Sequence, residues 1–129
     1  ILDRNQFVER FIPIGTARRL SPAEMEHYRA VQPTPELRVA VAVFPGQITA
    51  AHAFLARLAR AVPERLGHKP ALITWGMKDW GFRAQTQLPR MRAAFSDCHV
   101  LELPRAAHYI QEDAPAEIAA AITQRFAPA

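Results

Sequence analysis

The stretch "ALITWGMKDWGFR", residues 71–83, decides the fold. It opens on a nearly unbroken apolar run, stops at Gly76, and delivers an acid, Asp79, three residues later. A short run of this kind, without polar alternation, reads as a strand covered on both faces, as in parallel sheets. A second stretch repeats the plan: "HVLEL" (99–103) ends, and a loop carrying His108 follows. Residues 84–95 between them have helical character, and helical patterns flank the pair. The order helix, strand, helix, strand, helix implies right-handed crossovers and a parallel sheet with helices on both faces.

In open parallel sheets, ligands bind beyond the carboxyl ends of the strands. If the two strands are neighbours, Asp79 and His108 sit on loops at the same edge. A carboxylate there can accept the imidazole N–H, fix the tautomer and stabilise the imidazolium formed when the ring takes a proton. That is the acid–base half of a catalytic triad. The nucleophile half is not within these residues, since no G-x-(S/D)-x-G occurs. Taken singly, an Asp after a strand is a turn former or helix cap, and a lone His is structural. The shared order of strand, loop and helix gives the two their chemical reading.

Working outward, "TAAHAFLARLARAVPERLG" reads as a long amphipathic helix with Phe54, Leu55, Leu58 and Val62 at helical spacing. Thr49 is expected to cap it, Pro63 to kink it and Gly67 to end it. The last helix is expected within 113–126, with Asp113 as N-cap, Pro115 in its first turn and Ile118, Ile122 and Phe126 on one face. Residues 1–48 are irregular and rich in Pro. "FVERFI" reads as a short helix ended near Pro13. "LSPAEMEHYRAV" reads as a helix with a capping box between Ser21 and Glu24 and Pro22 in its first turn. "QPTPEL" breaks it. Residues 38–48, "RVAVAVFPGQI", read as a loop, because Pro45 and Gly46 cut short a strand-like alternation.

The chain of 129 residues suits one modest domain, with 50% hydrophobic and 22% charged residues. Its formal net charge is +4. The basic residues are mostly Arg, spread among Glu and Asp along helix-like segments, and no basic cluster with interleaved aromatics points to nucleic acid. No apolar run reaches membrane-spanning length and no signal peptide is seen, so no membrane partner is expected. One cysteine, Cys98, excludes an internal disulfide framework and a Cys-based metal site. It reads as a small residue before a strand, and the cytoplasm is the expected location. His27, His52, His68 and His99 lack partners at ligand spacing, and no metal is expected. Glu112 and Asp113 read as charge complementing a helix start. The opening "ILDRNQFVERFIP", with Ile1 in place of Met, reads as the middle of something, and the chain is expected to be a piece of a longer protein.

The same residues resemble a known family. "PALITWGMKDWGFR" and "LPRAAHYIQEDAPAEIAAAI" look like the C-terminal part of α/β-hydrolase-fold enzymes, and are most similar to the haloalkane dehalogenases. "NQFVERFIP", "LSPAEMEHYR" and "FPGQI", in that order, resemble the cap that those enzymes insert between the sixth and seventh sheet strands. The resemblance implies a helical cap segment over residues 1–48. It implies that 49–129 form the C-terminal part of a doubly wound parallel sheet, with strands near 70–76 and 99–103 and three helices. Asp79 matches the triad acid and His108 the triad base. In this family an Asp nucleophile displaces halide from carbon to form an alkyl-enzyme ester, which a His-activated water hydrolyses. The covalent intermediate splits one difficult step into two easier ones. No cofactor or metal is implied.

Trp75 reads as core. Trp80, Phe82, Tyr109 and Phe44 are candidates for the substrate pocket wall, and Trp80 is not equated with the family's halide-binding Trp. Tyr109 stands where Phe is common in the family. Gly46 and Gln47 stand where relatives often carry Arg and an acid or similar polar residue. "WGxxD" and "H(Y/F)xQED" are shared by epoxide hydrolases and esterases, so those activities are the same-fold rivals. The expected substrate is a small apolar halogenated compound, or an ester or epoxide under the rivals. The expected partner is the N-terminal half of the fold. A rival of another class is an inactive truncated chain or association module, pairing into a homo-oligomer through exposed strand edges.

Overall fold

The computed structural model of the chain describes residues 2–127. Two units divide it: one takes the residues up to Ile14 with Arg19–Leu58, the other Gly15–Arg18 with Ala59 onward.

The first unit is helical. A π-helical turn over Phe7–Phe11 leads into α1, Ile12–Gly15. Pro13 was expected to end this helix, yet the helical run continues through it to Gly15. α2, Pro22–Val31, begins as the sequence specifies. The Ser21 hydroxyl accepts the Glu24 amide at 3.3 Å, and the Glu24 carboxylate accepts the Ser21 amide at 2.6 Å. A 3₁₀ turn, Glu36–Arg38, then opens α3, Val39–Ala50. Here the expectation of a loop over 38–48 is corrected. The Val–Ala alternation mimics a strand, but Ala is the strongest helix former, and the helix runs on through Pro45. Thr49 accordingly lies inside α3 and caps nothing.

One residue, Ala51, separates α3 from α4, His52–Leu66. Pro63 does not stop α4, and Gly67 ends it, its amide bonding the Pro63 carbonyl at 3.0 Å. Phe54, Leu55 and Leu58 form the predicted apolar row but are exposed, Phe54 at 52%. Among the described residues, no single helix is long and apolar enough to cross a membrane.

The second unit holds the sheet. β1, Pro70–Gly76, and β2, Asp97–Leu103, pair in parallel with Pro70 opposite Asp97 and Gly76 opposite Leu103. β2 starts two residues earlier than expected. Side chains alternate across a strand, and each face takes different helices. On one, Ile73 packs with Ala84 and Leu88 of α5, Ala84–Ala93, flanked by Trp75, Met77, Cys98 and Val100. On the other, Leu101 and Leu103 meet Ala106, Ile110, Ala114 and Ile118. Those last residues lie on or beside α6, Ile110–Asp113, and α7, Pro115–Phe126. The sheet is thus covered on both sides, as the apolar strand "ALIT" requires.

The expected helix over 113–126 is two elements. Asp113 closes the single turn of α6 and does not cap α7, whose N-cap position is Ala114 with Pro115 next. Of the apolar row on α7, Ile118 packs into the core, whereas Ile122 and Phe126 are exposed.

Candidate active site

The site is built where β1 and β2 end side by side. The paired strand ends continue into paired loops: the Met77 amide bonds the Leu103 carbonyl and the Lys78 amide bonds the Ala106 carbonyl, both at 3.0 Å. Gly76 is the residue that allows this. A Cβ there would collide with the carbonyl oxygens of Ala106 and Ala107. A strand carrying any side chain at this position would hold the two loops apart.

Asp79 then sits in a tight turn. Its Oδ1 accepts the amides of Gly81 at 2.8 Å and Phe82 at 2.9 Å. Its Oδ2 lies 2.9 Å from Nδ1 of His108. The Asp79 side chain is 9% exposed and that of His108 40%. Burial alone would raise the Asp79 pKa, but the Phe82 amide, His108 and the Gly81 amide together hold it below the ordinary carboxylate value. The turn is also tied to the strand, because Trp75 Nε1 donates to the Phe82 carbonyl at 3.0 Å. Trp75, read as core, therefore does both: it packs against the Ile73 cluster and fixes the acid's loop.

His108 is framed by two aromatic rings. Phe82 stacks on it with centroids 5.5 Å apart and planes 19° apart. Tyr109 meets it edge-on, at 5.1 Å and 77°. Burial pushes the Tyr109 phenol up from its usual pKa. Since Nδ1 faces Asp79, Nε2 is the ring nitrogen positioned to take a proton from water. The arrangement can therefore act as a general base whose positive form is stabilised by a carboxylate.

Of the six residues singled out in the sequence, five lie in the second unit, and four of these form one connected group: Asp79, His108, Phe82 and Tyr109. Trp80 is on the same turn with its side chain exposed. Phe44 belongs to the first unit, on α3, and is exposed. Among the described residues no three His, Cys, Asp or Glu side chains gather in a way that could hold a metal ion.

Sequence reasoning missed the part played by Asp113. Its carboxylate accepts the Ala107 amide at 2.8 Å and the amides of Ala17 and Arg18 at 2.9 and 3.1 Å. An acid just before "AP" reads locally as a cap. The donors at residues 17 and 18 are almost a hundred positions away, and nothing in the local pattern announces them.

A parallel sheet covered on both faces, with an Asp–His pair beyond adjacent strand ends, is the C-terminal part of an α/β-hydrolase fold. Comparison with known proteins agrees and narrows the class. Haloalkane dehalogenase 2 of Mycobacterium tuberculosis and that of Mycobacterium bovis are each 60% identical over 126 residues, 98% of this chain and 44% of theirs. The crystal structure of a haloalkane dehalogenase from Bradyrhizobium elkani superposes with a TM-score of 0.84 at 28% identity, over 96% of this chain and 44% of that one. No protein-family model matches. The chain is homologous to the C-terminal part of the haloalkane dehalogenases. It spans less than half the length of these relatives.

Proposed function

We propose that this chain supplies the acid–base pair of a haloalkane dehalogenase-like hydrolase, with His108 as base, Asp79 as its acid and residues 1–48 as the cap segment. The observation that carries the reading is the 2.9 Å approach of Asp79 Oδ2 to His108 Nδ1 beyond the ends of two parallel strands. The names of the relatives give the reaction class. A carboxylate from the N-terminal part of the fold would attack the halogen-bearing carbon, forming a C–O bond and releasing halide. His108 Nε2 would then take a proton from water, and the resulting hydroxide would attack the ester carbonyl and free the alcohol. Asp79 would stabilise the imidazolium during that step. Phe82 and Tyr109 would wall the pocket beside the base, with Trp80 at its margin.

The test is bromide release from a small bromoalkane by the full-length protein and by its His108→Ala variant. The expected result is turnover by the first and about one equivalent by the second, because alkylation needs no base and hydrolysis does. A wild-type protein that releases no bromide but cleaves an ester or an epoxide would refute the dehalogenase reading and leave the pair's acid–base role intact.

A second reading has its own observation. Among the described residues the sheet has two strands, and exposed apolar side chains line α4 and α7. Unpaired strand edges and apolar faces favour association. The isolated 129-residue chain is therefore expected to be inactive and to self-associate. Sedimentation velocity checks this, and a stable monomer would refute it.

A further inference from the structure

We propose that Asp113 is a positioning residue for His108, acting through Ala107 and anchored to a strap formed by Gly15–Arg18. The inference rests on the reading of His108 as the base. His108 is held at its ring by Asp79, but its main chain must also be placed, and both of its chain neighbours are tied to the same distant segment. On one flank, the buried Ala107 donates its amide to Asp113 Oδ2 at 2.8 Å. The other oxygen of that carboxylate accepts Ala17 at 2.9 Å and Arg18 at 3.1 Å, and Ala17 is also 2.9 Å from Oδ2. On the opposite flank, the Tyr109 amide donates to the Gly15 carbonyl at 2.9 Å. The Tyr109 ring occupies the space a Cβ on Gly15 would need. Arg18 closes the strap, its Nε donating to the Glu112 carbonyl at 2.6 Å and its Nη2 reaching the Glu112 carboxylate at 3.3 Å.

A carboxylate suits this junction because the amides of Ala17, Arg18 and Ala107 all donate to it. Charge-assisted bonds to amides are short and strong, and a side-chain amide in its place would turn its NH₂ toward an N–H. The consequence is specific to the base. Misplacement of a reacting group by about 1 Å can cost on the order of a hundredfold in rate, and the strap begins at the last residue of α1 and runs toward α2, within the proposed cap segment. A stretch of the proposed cap segment thus also sets where the base stands.

The test uses the full-length enzyme as wild type, Asp113→Asn, Gly15→Ala and a surface control, Arg105→Ala, whose side chain is 91% exposed. Rapid-mixing bromide release separates alkylation from hydrolysis. For Asp113→Asn the expected burst remains near one equivalent per site, while steady-state hydrolysis falls by roughly a hundredfold, with KM falling alongside kcat. Gly15→Ala disturbs the other flank and is expected to give the same split. It carries the test if Asp113→Asn does not fold. Burst and steady state falling together, with the rate per active site unchanged, would show a merely structural Asp113 and overturn the proposal. If the wild type releases no bromide, the dehalogenase reading is what fails. Positioning is then read from the His108 Nδ1 proton resonance, expected to be broadened or lost in Asp113→Asn and kept in Arg105→Ala. An unchanged resonance would overturn the inference.

Discussion

Replacing Gly76 by Ala adds one methyl group at the point where the loops carrying Asp79 and His108 touch. That methyl would meet the carbonyl oxygens of Ala106, at 2.8 Å, and of Ala107. Both are main-chain atoms of buried residues, so no side-chain rotation relieves the clash. The loop carrying His108 must move, and the bonds from Met77 to Leu103 and from Lys78 to Ala106 are strained or lost. Two such bonds contribute about 1 kcal/mol each, and forcing an extra methyl into a packed site costs about 1–3 kcal/mol. The expected destabilisation is therefore about 3–5 kcal/mol, a large part of the roughly 5–15 kcal/mol typical of a folded domain. Urea unfolding of the full-length protein, followed by far-UV circular dichroism, measures it. Gly46→Ala is the control: a Cβ there meets nothing within 4 Å, and the residue lies inside α3. Alanine in a helix interior is favoured over glycine by about 0.5–1 kcal/mol, so this variant should be slightly stabilised. A Gly76→Ala protein within about 1 kcal/mol of wild type would refute the account, because that figure is below the smallest sum of its parts.

Other consequences follow from the acid's turn. The depressed pKa of Asp79 stabilises the fold fully above the unfolded-state value of about 4, and this contribution is lost as pH falls through the lower folded-state pKa. The stability gap between wild type and Asp79→Asn should therefore shrink under acid. A gap that widens as pH falls would contradict the assigned sign. Trp75→Phe keeps most of the packing but removes the bond to the Phe82 carbonyl. It should cost about 1 kcal/mol and speed amide exchange at Gly81 and Phe82, measured by hydrogen exchange. Unchanged exchange there would show that the indole does not hold the turn.

The strands, the doubly covered sheet, the capping box of α2 and the places of Asp79 and His108 just past the strand ends could be read from the sequence, because each leaves a local trace. An apolar run, a Ser three residues before a Glu, or a polar residue just past a strand end are short-range facts. The reading erred where a local pattern had two outcomes. Val39–Ala50 alternates like a strand and contains Pro45, yet it is a helix. Ile122 and Phe126 repeat like a core stripe, yet only Ile118 of that row is packed within this chain. Tertiary structure alone decided what crosses long sequence distances. It brought Asp79 within 2.9 Å of His108, 29 residues on, and closed the carboxylate of Asp113 over Ala17, 96 residues away. It also made Gly15 and Gly76 points of close approach, for which a missing side chain leaves no local signature. The physical reason is that hydrogen bonds and steric exclusion act over a few ångströms of space. The sequence displays neighbours along the chain, and only the folded sheet makes neighbours of its loops.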